Sequence, residues 1–127
     1  TRNEWLAPDG TKLLDEARTV HVVALPAGRL VVFHISLATP LAAVTFGDTK
    51  EGAMGVRVHP SLVAAKGGVL TNDRGGKGEK EVWGRLLDWT DYSGTVDGKP
   101  VGVAVFDHPA NKPRCASHGR GHGLMAI

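Results

Sequence analysis

Apolar side chains recur at every second position along much of this chain, and this alternation is the feature that most constrains its fold. In Arg29–Leu37 the alternating positions carry Val31, Phe33, Ile35 and Leu37, which an extended strand places on one face. The segment from Met54 to His59 alternates in the same way. Glycine, which weakens helices and serves turns, makes up 17 of the 127 residues, nearly twice the average usage of about 7 %. We therefore predict an all-β fold, an antiparallel β-sandwich.

Turn signals divide the rest of the chain into short segments. Pro26–Gly28 predicts a hairpin connection between a strand at Thr19–Leu25 and the one that begins at Arg29, and Asp97-Gly98 predicts a second hairpin turn. The other strand candidates are Ala42–Phe46, Trp83–Tyr92, Val101–Phe106 and Gly123–Ile127. The almost wholly apolar Val101–Phe106 is expected to be buried on both sides. Helical turns are expected only at Thr11–Thr19 and Ser61–Lys66, and Gly67–Lys80 is expected to be a loop.

Size, charge and motifs narrow the functional classes. A chain of 127 residues and 13.4 kDa fits a single domain over residues 1–127. The net charge is +2 and the basic residues are scattered, so a nucleic-acid partner is not expected. No apolar run approaches the length of a membrane span, and a soluble protein is expected, with periplasmic, secreted and cytoplasmic locations all open. The glycine-rich stretches match neither the dinucleotide fingerprint nor the P-loop, so no nucleotide cofactor is expected.

The first cluster that can carry chemistry lies around a glycine-bounded turn. Asp48 and Glu51 lie in this turn, and the following strand carries Arg57 on its polar face. If that face lines a pocket, Arg57 holds a carboxylate or hydroxyls while Asp48 or Glu51 works as an acid or base. The alternative is a solvated turn with local ion pairs.

The second cluster combines aromatic and charged side chains. Strand spacing would place Trp83, Arg85, Leu87 and Trp89 on one side. Flat aromatic rings beside carboxylates suit a sugar ring, which offers an apolar C–H face and a rim of hydroxyls. The alternative is that the tryptophans fill the sandwich core.

The third cluster follows the apolar strand at Val101–Phe106. Asp107, His108 and Asn111 come directly after it, and His118, Arg120 and His122 follow near the end of the chain. Histidine is the usual proton shuttle and metal ligand at neutral pH, so His108, His118 and His122 are also a candidate site for copper, iron or another divalent metal. The alternative is that Asp107 and Asn111 cap the turn around Pro109 and the histidines bond to backbone.

These clusters, in this order, resemble a bacterial family labelled methane oxygenase PmoA-like. The resemblance covers nearly the whole chain and rests on Trp5–Glu16, Phe46–Arg57, Trp83–Gly94, Val101–Asn111 and His118–Leu124. It implies a soluble β-sandwich of mutarotase-like or jelly-roll type and raises the expectation of carbohydrate chemistry. Family members are usually longer, and they carry Trp and Tyr where this chain has Ser117 and His122. The chain is therefore expected to be a partial or reduced member, in which a partner, such as a second copy in a homo-oligomer, completes a half-sandwich.

Three functional hypotheses follow. The first is an enzyme doing acid/base chemistry on a sugar ring by epimerisation, elimination or hydrolysis. In it His108 and His118 transfer protons and Asp48 or Glu51 assists, and the substrate is held by Arg57, Arg120, Trp83, Trp89, Asp107 and Asn111. The second is a non-catalytic glycan-binding or assembly module. The third is a copper or iron oxidase or lyase with ligands His108, His118 and His122.

Overall fold

A computed structural model describes residues 1–47 and 54–127. Strands account for 51 % of these described residues and helical turns for 8 %. The strands form three antiparallel sheets of three strands each, which confirms the prediction of an all-β, antiparallel fold. The strands are β1 (Arg2–Leu6), β2 (Lys12–Leu25), β3 (Gly28–Ala38), β4 (Gly55–Arg57), β5 (Val69–Asn72), β6 (Trp89–Val96), β7 (Lys99–Phe106), β8 (His118–Arg120) and β9 (Leu124–Ala126).

Over residues 1–47 and 54–127, helical structure is confined to single turns. Two 3₁₀ turns span Pro60–Leu62 and Ala64–Lys66, and one turn of α-helix, α1, spans Glu79–Val82. The 3₁₀ turns confirm the helical turn predicted at Ser61–Lys66. In the described parts of the chain, no helix has the length and apolar character needed to cross a membrane.

The chain divides into two compact units, residues 1–47 and 48–127. Unit 1 is the meander β1-β2-β3, in which β2 and β3 form a long hairpin with Val22 opposite Val31 and Leu25 opposite Gly28. The predicted hairpin connection is confirmed. Most apolar side chains of this sheet remain exposed, and in residues 1–47 the structure buries Leu14 and Glu16.

The buried carboxylate of unit 1 has its own hydrogen-bonding partners. Glu16 accepts hydrogen bonds from Trp5 Nε1 at 2.9 Å and Asn3 Nδ2 at 3.3 Å, and pairs with Arg18 at 2.9 Å. The Trp5 N–H, aided by the positive charge of Arg18, holds the pKa of Glu16 below its usual value. This network ties the first strand to the second.

Unit 2 contains two sheets, β4-β9-β8 and β5-β6-β7, whose facing sides share a core. Met125 on β9 is fully buried and accepts a hydrogen bond from Thr90 on β6, with 3.6 Å between Oγ1 and Sδ. The core consists of Val58, Leu62, Leu70, Val82, Leu87, Tyr92, Val105 and Met125. Its two-layer packing is that of a small sandwich.

Several local predictions are wrong. The segment Thr11–Thr19 is strand rather than helical turn, because β1 pairs with it and places Leu14 and Glu16 on one buried face. Ala42–Phe46 forms no strand, and β5 lies within the segment predicted as a loop. Val101–Phe106 forms a strand as expected, but β7 is an edge strand and only Val105 is buried.

The segment that precedes β6 also differs from its prediction. Residues 83–88 are not part of a strand. The segment follows α1 directly and contains a turn at Gly84, where φ is +71°, so the backbone is not continuously extended there. The common side predicted for Trp83, Arg85, Leu87 and Trp89 therefore does not exist. Leu87 is buried in the core while Trp83 is exposed. The prediction of one domain over residues 1–127 and that of a homo-oligomer stay predictions.

Candidate functional site

Strand β8 divides its residues between the core and the opposite face. Gly119 faces the core, where a Cβ atom would lie 2.6 Å from Val82 and 2.8 Å from Leu70. Since side chains alternate along a strand, His118 and Arg120 both point to the other face. Close packing of Gly119 therefore holds an imidazole and a guanidinium side by side on the outer face of this sheet.

Sheet register brings a second guanidinium to the same face. Arg57 on β4 and Arg120 on β8 are both directly opposite Leu124 on the central strand β9, and opposed residues share a face. With neighbouring strands about 4.8 Å apart, the two arginine backbones are separated by roughly 10 Å. His122, in the β8–β9 turn, lies 3.2 Å from Arg57, measured from Nδ1 to Nη1.

An aromatic ring packs on this face. The chain leaves α1 at Trp83, whose indole ring centroid is 4.3 Å from that of His118, at an interplanar angle of 40°. The guanidinium carbon of Arg120 is 4.0 Å from the same ring centroid, which is close enough for a cation–π interaction. Trp83 remains 37 % exposed. We call Arg57, Trp83, His118, Arg120 and His122 the β8 surface.

Two further side chains hold the β8 surface in place. The carboxylate of Glu79 on α1 pairs with Arg120 Nε at 3.3 Å and accepts the backbone N–H of Gly121 at 2.8 Å. The buried hydroxyl of Tyr92 donates to the backbone oxygen of Arg120 at 2.7 Å. Burial, with the nearby charge of Glu79, raises the pKa of Tyr92 above its usual value. Neither Glu79 nor Tyr92 was singled out in the sequence as a positioning residue.

A second polar cluster follows β7. The buried carboxylate of Asp107 accepts hydrogen bonds from Asn111 Nδ2 at 2.7 Å and Arg114 Nε at 3.2 Å. Arg114 also pairs with Asp88 at 2.8 Å and donates to the backbone of Leu87 at 2.8 Å. These bonds fasten the loop after β7 to the segment before β6. Asp107 and Asn111 are thus both engaged in a hydrogen-bond network with Arg114.

The structure brings together some of the predicted site residues and separates others. His108 accepts the backbone N–H of Ala110 at 3.1 Å within its own turn, in the loop that follows β7. Trp89 lies opposite Phe106 in the other sheet of unit 2. Asp48 and Glu51 lie outside the described residues. Within residues 1–47 and 54–127, no group of three or more His, Cys, Asp or Glu side chains is arranged to hold a metal ion.

The fold and the β8 surface define a class, an all-β chain with an aromatic and cationic face on a small antiparallel sheet. A family model described as "Family of unknown function (DUF6807)" matches residues 1–127, and the chain belongs to that family. Comparison with curated proteins and with solved structures found no significant match.

Proposed function

We propose that unit 2 binds a carbohydrate on the β8 surface, with Trp83 as the platform for a sugar ring. The observation that supports this most is the position of the partly exposed indole ring, which packs against His118 and Arg120. An indole face suits the apolar C–H face of a sugar, and the neighbouring guanidinium and imidazole groups supply hydrogen-bond donors for its oxygens. The resemblance to the PmoA-like family, with its mutarotase-like fold, favours the same class of ligand.

Acid/base chemistry on the bound sugar is a second candidate, and the position of His118 favours it. Its imidazole lies against the proposed platform and on the same strand face as Arg120, where a bound ring would be within its reach. Imidazole is the side chain most often used as a general acid or base in catalysis. In this version of the proposal His118 transfers the proton, while His108, which caps its own turn, takes no part.

The binding proposal is tested by calorimetry with a panel of oligosaccharides on the wild-type chain and two tryptophan variants. Truncation of an aromatic anchor at the centre of a binding surface costs about 1 kcal/mol or more, so Trp83→Ala should weaken binding at least about fivefold. Trp89→Ala is the matched control, because Trp89 belongs to the other sheet, and it should bind like wild type. Circular dichroism confirms that both variants are folded. Equal affinities for wild type and Trp83→Ala would contradict the proposal.

Product analysis of the same samples tests the second candidate. If the wild-type chain converts a bound oligosaccharide, His118→Asn should abolish conversion while it retains binding, and His108→Asn should leave both unchanged. Loss of conversion in the His108 variant alone would contradict the assignment to His118. If the chain binds sugars but converts none of them, the β8 surface is better explained as that of a non-catalytic glycan-binding module.

A further inference from the structure

We propose that the carbohydrate recognised by the β8 surface is an acidic one, a sugar whose carboxylate is held by Arg57 together with His122. This inference rests on the proposed function, because it names the class of sugar that the same surface binds. Its basis is independent of the aromatic platform and lies in the hydrogen-bonding chemistry of these two side chains.

The contact between Arg57 and His122 fixes which groups they present. A guanidinium has five N–H donors and no acceptor, so in the 3.2 Å contact between Nη1 and Nδ1 the imidazole nitrogen must accept. The proton of this imidazole therefore resides on Nε2. Beyond their mutual bond, the two side chains offer only donors, namely the remaining guanidinium N–H groups and the Nε2–H group.

This face also carries an excess of positive charge, which favours the same kind of ligand. The Glu79 carboxylate is engaged by Arg120 Nε and by the Gly121 N–H. Among the described residues Arg57 has no carboxylate partner, and both Arg57 and His122 are exposed. A guanidinium in this state matches the planar, acceptor-only geometry of a carboxylate, which it can bind in bidentate fashion.

The geometry also relates the carboxylate to the sugar ring. Trp83 packs on the β8 side of the sheet, against His118 and Arg120, whereas Arg57 is two strands away on β4. A ligand that stacks on the indole ring and reaches Arg57 must therefore extend across β9. An oligosaccharide that contains a uronic acid next to the stacked residue fulfils both conditions.

Calorimetry with a matched pair of oligosaccharides tests the inference. The probes are a glucuronic-acid-containing oligosaccharide and its neutral glucose counterpart of the same length and linkage. The wild-type chain should bind the acidic probe about tenfold more tightly. Arg57→Gln should remove this preference, because the acidic probe loses its bidentate partner and its affinity falls to about that of the neutral probe. Arg74→Gln, which removes an exposed guanidinium outside the β8 surface, is the control and should keep the preference.

Two further measurements distinguish failure of this inference from failure of the proposed function: the salt dependence of binding and the affinity of the Trp83→Ala variant. Raising the salt from 0.05 to 0.5 M should weaken the acidic probe and spare the neutral one, since screening acts on the charged contact. Equal wild-type affinities for the two probes, or a preference that persists in Arg57→Gln, would overturn the acidic-sugar inference alone. If neither probe binds, or if Trp83→Ala binds both like wild type, the proposed function fails as well.

Discussion

Replacing Gly119 by alanine tests whether the core dictates the geometry of the β8 surface. The new Cβ would lie 2.6 Å from Val82 Cγ1 and 2.8 Å from Leu70 Cδ2, and both neighbours are buried. Overpacking of this kind costs about 1–3 kcal/mol, and two simultaneous close contacts place the cost near 2.5 kcal/mol. Alanine also lowers the conformational entropy of the unfolded chain relative to glycine, and this offsets about 0.5 kcal/mol of the steric cost. The expected loss in the free energy of unfolding is therefore about 2 kcal/mol.

Guanidinium chloride unfolding, followed by tryptophan fluorescence, measures this loss. With a slope of about 4 kcal/mol per molar denaturant, the midpoint should fall by roughly 0.5 M. The matched control is Gly121→Ala, two residues away, whose Cβ would be 3.6 Å from the nearest side-chain atom, Glu79 Oε2. That variant should unfold within about 0.5 kcal/mol of wild type. If the two variants unfold at the same denaturant concentration, the steric reasoning about β8 is refuted.

Two hydrogen bonds give further predictions. Tyr92→Phe leaves the backbone oxygen of Arg120 without its donor and should cost about 1–3 kcal/mol in denaturant unfolding. The folded-state pKa of Tyr92 is raised, so its contribution to the free energy of unfolding is complete below pH 10 and should decline as the pH rises through the raised pKa. If stability falls with alkaline pH identically in wild type and Tyr92→Phe, this reasoning is contradicted. The folded-state pKa of Glu16 is lowered, so its contribution is complete above the ordinary carboxyl pKa and should decline as the pH falls through the lowered value. In acid titrations of unfolding, Glu16→Gln should flatten that decline, and an unchanged curve would show that the buried carboxylate adds nothing.

Where local chemistry decides the structure, the sequence predicted it. The hairpin turn at Asp97-Gly98 needs positive φ at both central positions, and the structure has +50° and +75° there. The β2–β3 hairpin follows in the same way from a turn between two runs of β-branched residues. The strand at His118–Arg120 was not predicted from the sequence, although once it forms the two side chains share a face because they are two positions apart.

The burial of side chains and the register of the strands were harder to predict from the sequence, because they depend on residues distant along the chain. Val101–Phe106 is as apolar as a central strand, yet it forms an edge, and no local signal distinguishes the two positions. The shared face of Arg57 and Arg120 comes from their common partner Leu124 on β9. Trp83 was assigned to a strand because a helix of four residues has no periodic pattern to detect.

The alternation along β8 implies that the geometry of the β8 surface and the stability of unit 2 are coupled. Gly119 contacts the core through the face opposite to that of His118 and Arg120, and the Tyr92 hydroxyl, buried in the same core, bonds to the backbone of Arg120. A strand of three residues cannot absorb a shift of one face without moving the other, because consecutive side chains share a single backbone. Changes in the core next to β8 should therefore alter the distance between Trp83 and its two partners before they unfold the chain. The β8 surface is in this sense the outer side of the core packing.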